Sequence, residues 1–79
     1  MNITKLPNRK FNNKLAPEVG SKIKRAREMC GLSQVELAKL MGFKTGVVIS
    51  LYESNKRQIN AVDLWKVSQI TNCPITFFL

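Results

Sequence analysis

The chain has 79 residues, with 13 lysines and arginines against 5 acidic residues and no histidine, for a formal charge of +8. That length makes one small domain, which buries only about 60–65% of the surface its unfolded chain exposes. Such a charge favours polyanions, with nucleic acid and an anionic membrane surface as the two physical candidates. Without histidine, the widely separated Cys30 and Cys73 offer neither a zinc ligand set nor a nucleophile with an imidazole base. They are expected to be reduced, partly buried thiols. Paired carboxylates in a shared setting and a glycine-rich phosphate loop are also missing, so no enzyme, catalytic residue, cofactor or metal is expected. No stretch approaches the ~20 apolar residues that cross a bilayer, and the opening residues lead into polar sequence, so the chain is expected in the cytoplasm.

Residues 1–14 are rich in asparagine and carry Lys5, Arg9, Lys10 and Lys14 without an acidic residue or a helical apolar period. They read as a flexible basic arm, either a plain leader or a segment that gains order along a phosphate backbone. Residues 15–79 read as the folded domain. Its first helix is predicted to begin at Pro17-Glu18, where proline suits the first turn and glutamate faces the positive end of the dipole, and to end before Gly31. Val19, Ile23, Ala26 and Cys30 make its apolar stripe, with Lys22, Lys24 and Arg25 off it.

Ser33 followed by Glu36 has capping-box spacing, so a second helix should run from Gln34 to about Met41, with Gly42 stopping it. Thr45 offers the next N-cap, for a third helix over residues 46–54. Two short capped helices joined by a tight turn make a helix-turn-helix. Ile49, Tyr52 and Glu53 are taken as facing inward. The helical period then turns Val47, Val48, Ser50, Leu51 and Ser54 outward, with Gly46 at the leading end. Asn60 with Asp63 caps a fourth helix whose buried face is Leu64, Val67 and Thr71. Trp65 falls beside that stripe, suited to partial core or to an interface. Pro74 stops this helix, and residues 75–78 can make one more turn.

Gly31-Leu32-Ser33-Gln34, Leu37-Ala38, Gly42, Ile49-Ser50, Tyr52-Glu53 and Lys56-Arg57 resemble the XRE-type helix-turn-helix of phage repressors and Cro proteins, over residues 19–78. The turn carries one residue more than that pattern, with Lys44 as the insertion, and Asn55 replaces the common glycine after the third helix. The resemblance implies an all-α domain of five short helices in the phage-repressor arrangement. It also implies a structural ion pair between Arg27 and Glu53. It further implies sequence-specific binding of double-stranded DNA by a transcriptional regulator that represses or activates transcription, a repressor being the first expectation, acting as a homodimer with the third helix in the major groove.

On that resemblance Gln34 approaches a phosphate, and Lys44, Lys56 and Arg57 add phosphate contacts. Gly46, Val47, Val48 and Leu51 match the positions that touch bases, and Thr45, Ser50 and Lys44 can add single hydrogen bonds. The apolar positions lack the bidentate hydrogen bonds that read guanine or adenine, so readout should rest on thymine methyls. Trp65, Phe77, Phe78 and Leu79 are expected at the dimer interface. Two alternatives stay open: an antitoxin or co-activator that uses the same fold to hold a protein partner, and an N-terminal targeting domain of a larger regulator or DNA-modifying enzyme.

Overall fold

The computed structural model describes residues 16–79; the expected basic arm, residues 1–14, lies outside them. The first helix, α1, spans Ala16–Met29, with Glu18 in its first turn and Arg27 in its last, each opposing the local end of the helix dipole. Ile23 and Ala26 are fully buried and Val19 half-buried, but Cys30 is exposed. The expected stripe breaks there because the helix ends at Met29. Gly31, at φ 71°, then takes the chain left-handed, and the Leu32 amide closes the turn onto the Arg27 carbonyl at 3.1 Å. Cys30 still donates from Sγ to the Thr71 carbonyl at 3.3 Å, while Cys73 is buried.

The second helix, α2, spans Gln34–Leu40, and its predicted start is set by a complete capping box. The Glu36 amide donates to Ser33 Oγ at 3.0 Å, and the Ser33 amide donates to Glu36 Oε1 at 2.8 Å. Leu37 and Ala38 are buried. Gly42 adopts φ 92°, and the Phe43 amide closes back onto the Ala38 carbonyl at 2.8 Å. The third helix, α3, spans Val47–Glu53, shorter at both ends than expected, and its N-cap is Gly46 rather than Thr45. Thr45 still contributes, since its Oγ1 accepts from the Val47 amide at 3.3 Å, a turn in place of a helix cap. Asn55 takes φ 61°, the left-handed conformation expected of it at the end of α3.

The fourth helix, α4, spans Ala61–Thr71, with Asn60 Oδ1 accepting from the Asp63 amide at 2.8 Å. Leu64, Val67 and Thr71 are buried as the spacing predicts. Thr71 is tolerated there because its hydroxyl donates to the Val67 carbonyl at 2.7 Å. The expected fifth helix is a single 3₁₀ turn, Ile75–Phe78, entered through Pro74. The class is all-α, with four α-helices and this turn among the described residues.

Fully buried Ile23, Leu37, Ile49, Val67 and Phe78 bring one side chain from each element into a single core. Phe78 therefore leaves the expected dimer face: burying its ring in the core stabilises the domain by about 1.5–3 kcal/mol. Phe77 packs edge-on against it, with ring centroids 5.2 Å apart. Trp65 is 57% exposed, so it is not a core residue of the monomer.

α1 packs on α3 at a contact that only glycine permits. A Cβ at Gly20 would lie 2.5 Å from Asn55 Oδ1 and 2.7 Å from the Tyr52 carbonyl oxygen. The missing side chain lets the middle of α1 reach the C-terminal end of α3, which fixes the third helix against the rest of the domain.

Candidate nucleic-acid interface

The candidate site is built on α3, whose inner side is anchored by Ile49 and Tyr52 in the core and by Glu53 in a polar cluster. Arg27 Nε donates to Glu53 Oε2 at 2.6 Å and Arg27 Nη2 to Glu53 Oε1 at 3.1 Å, so the expected ion pair is present and bidentate. Both side chains are almost completely buried. The hydrogen bond to Glu53 raises the Arg27 pKa, with the Glu53 and Glu28 charges adding to it against the opposing effect of burial. Arg27 Nη1 also donates to the Leu32 carbonyl at 2.7 Å, which ties α1 to the chain entering α2. Gln34 Nε2 donates to Glu53 Oε1 at 3.0 Å. One carboxylate thus joins α1, α2 and α3, and the Gln34 amide turns partly inward, where the resemblance had implied a side chain directed at a phosphate.

Tyr52 adds a second anchor. Its hydroxyl donates to Asp63 Oδ2 at 2.6 Å, joining α3 to the first turn of α4. Burial, with the Asp63 hydrogen bond and charge, pushes the Tyr52 pKa up to about 12.

On the outer side, Val47 is 59% exposed, and Ser50 is exposed beside it in the helical period. Leu51 is half-buried, and Val48 leans further inward than expected, packing against the core cluster. Gly46 is half-buried against α2, while Lys44 and Thr45 are exposed. Lys56 and Arg57 are exposed but not loose: their amides donate to the Leu51 carbonyl at 3.0 and 3.2 Å. These bonds hold the backbone of both residues against the C-terminal end of α3, where the helix dipole favours cations. The outer side of α3 thus exposes Val47 and part of Leu51, with cationic residues before and after the helix in the chain.

Among the described residues no group of histidine, cysteine and acidic side chains could hold a metal ion, and no helix is long and apolar enough to cross a membrane. A family model described as helix-turn-helix matches residues 23–78. The chain belongs to the helix-turn-helix family. Two curated relatives of this helix-turn-helix protein are each named an uncharacterized HTH-type transcriptional regulator, one from Sinorhizobium medicae and one from Rhizobium meliloti. Each is 37% identical over 73 residues, covering 92% of this chain and 52% of the relative. The chain spans about half the length of the curated relatives it matches.

The helix-turn-helix is thus the unit α2, turn and α3, held by the carboxylate of Glu53. Three contributors escaped the sequence reading. Gly20 carries no local sequence signal, and only the approach of α3 reveals its purpose. The Leu32 carbonyl is backbone and leaves no sequence signal. Val35 is next to Gly46 in space although eleven positions away in the chain, with its Cγ2 3.3 Å from where a Gly46 Cβ would stand.

Of the residues expected at a dimer face, Trp65 and Leu79 are exposed, Phe77 is half-buried and Phe78 is interior. Val62, one turn before Trp65 on α4, is exposed as well. Leu79, with Val19, Ile59 and Leu64, lines a cavity of about 310 Å³ that reaches Arg57.

Proposed function

We propose that this helix-turn-helix domain binds duplex DNA sequence-specifically as a transcriptional regulator, a repressor, with α3 in the major groove and α2 across the backbone. The observation that carries the reading is the outward side of α3: Val47 stands exposed, with exposed Lys44 before the helix and exposed Lys56 and Arg57 after it, on a helix locked from behind by Arg27, Glu53 and Gln34. The names of the two relatives agree with it. Lys44, Lys56 and Arg57 serve the phosphates, Thr45 and Ser50 supply single hydrogen bonds, and Val47 with the accessible part of Leu51 meets thymine methyls. Gly46 contributes close approach rather than a side-chain contact. Val48 adds little direct readout, since it packs inward.

The reading includes a homodimer through Trp65, Leu79 and the edge of Phe77, which would set two α3 helices about 34 Å apart, one turn of duplex. Gel-shift titration tests DNA binding: with ~5 phosphate contacts, log K should fall against log salt with a slope of about −4 to −5. A slope near zero contradicts the proposal.

A second reading is a protein-interaction module, such as an antitoxin or co-activator. The absence of arginine, glutamine and asparagine from the outward positions of α3 favours it, because an apolar strip also suits a protein partner. Val47→Asp abolishing capture of a protein partner, with no effect of thymine methyls on DNA binding, would replace the first reading.

A further inference from the structure

Val35 occupies the second position of α2, yet its side chain belongs to the surface of α3. A Cβ built on Gly46 would lie 3.3 Å from Val35 Cγ2, 3.3 Å from the Val35 amide nitrogen and 3.4 Å from the Gln34 carbonyl carbon. The Val35 isopropyl group therefore stands where a side chain on residue 46 would emerge. It is 48% exposed, unlike Leu37 and Ala38 on the same helix, which are fully buried. The neighbouring Gln34 is fixed by its hydrogen bond to Glu53, so this end of α2 is held in register with α3.

We infer that Val35 is a specificity-determining residue: it supplies from α2 the apolar contact that Gly46 lacks on α3, and it packs on a thymine methyl adjacent to the one met by Val47. The inference rests on the DNA-reading proposal above. The C5 methyl of thymine is the apolar feature of base edges in the major groove, so two neighbouring valines match two neighbouring methyls. Valine suits the role because its branched Cβ restricts χ1, leaving little side-chain freedom to lose on binding. Position 46 is thus read as glycine in the chain and as valine in space.

The test is a cycle between protein and DNA. The full chain and its Val35→Ala and Val47→Ala variants are titrated against the best duplex selected for the wild-type chain, with each thymine replaced in turn by uracil, which removes only the methyl group. At one position uracil should weaken the wild-type chain about fourfold, the value of one buried methyl, and leave Val35→Ala unaffected. A different, adjacent position should couple to Val47→Ala in the same way. Val35→Ser, with its melting temperature measured alongside, should lose the same coupling as Val35→Ala while remaining folded. The inference is overturned if Val35→Ala suffers as much as the wild type from uracil at every position. If the wild type binds no duplex at low salt, the DNA-reading proposal fails and this inference with it, a result distinct from binding without Val35 coupling.

Discussion

Arg27 and Glu53, 26 positions apart in the chain, form a bidentate pair in which Nε lies 2.6 Å from Oε2 and Nη2 lies 3.1 Å from Oε1. Because both are nearly dry, the pair is worth most as a constraint: desolvating the two charges offsets much of their attraction, but removing one strands the other. Glu53→Ala should destabilise the domain by about 3–5 kcal/mol, read as a lower urea midpoint. Replacing both residues, Arg27→Met with Glu53→Leu, should recover most of that loss. Equal midpoints for the single and double variants would show that the stranded arginine is not the cause.

Gly20→Ala makes a sharper case, because two effects of known sign oppose each other. Helix propensity alone favours alanine by about 1 kcal/mol. The added Cβ would sit 2.7 Å from the Tyr52 carbonyl oxygen, which is backbone and cannot swing aside. Overpacking of this kind costs about 1–3 kcal/mol, leaving a net loss of up to about 2 kcal/mol, so the melting temperature should fall. An increase would mean that α1 and α3 separate without cost.

The local signals were legible and the tertiary ones were not. Ser33 with Glu36, and Asn60 with Asp63, announce helix starts because each cap is a contact within four residues. Gly42 and Asn55 announce helix ends for the same local reason, their left-handed backbone. Phe78 could not be separated from Phe77 or Leu79 by its neighbours, since which ring enters the core depends on how the 3₁₀ turn lands on α1 and α4. The exposure of Trp65 and Cys30 and the Val35–Gly46 contact are likewise set by packing between elements. The Arg27–Glu53 pair came from the family resemblance, while its third member, the Gln34 side chain, did not.

Tyr52 predicts an alkaline limit to stability. Its folded pKa, about 12, lies above the ordinary value of 10.0, so the protonated hydroxyl is favoured by folding. Its contribution is fully present below pH 10 and is lost as pH rises through 12. Tyr52→Phe should therefore cost about 1.5–3 kcal/mol at pH 8, the value of a hydrogen bond to a charged group, and the gap to wild type should shrink between pH 10 and 12. A gap unchanged by pH would show that the Asp63 hydrogen bond is not its source.

The proposed dimer is tested by sedimentation at high micromolar concentration, with and without duplex. Two-fold association is expected, and Trp65→Glu should shift it towards monomer without lowering the melting temperature by more than a few degrees, because the indole is exposed in the monomer. Monomer alone under both conditions would contradict the dimer.

Selection of bound sites from a pool of random duplexes would show whether α3 meets duplex DNA through Val47 and the accessible part of Leu51. The expected result is an enriched site with thymine at the centre of each half-site and the halves about one helical turn apart. Enrichment of guanine at those central positions, or no enriched sequence from a chain that still binds DNA, would contradict it.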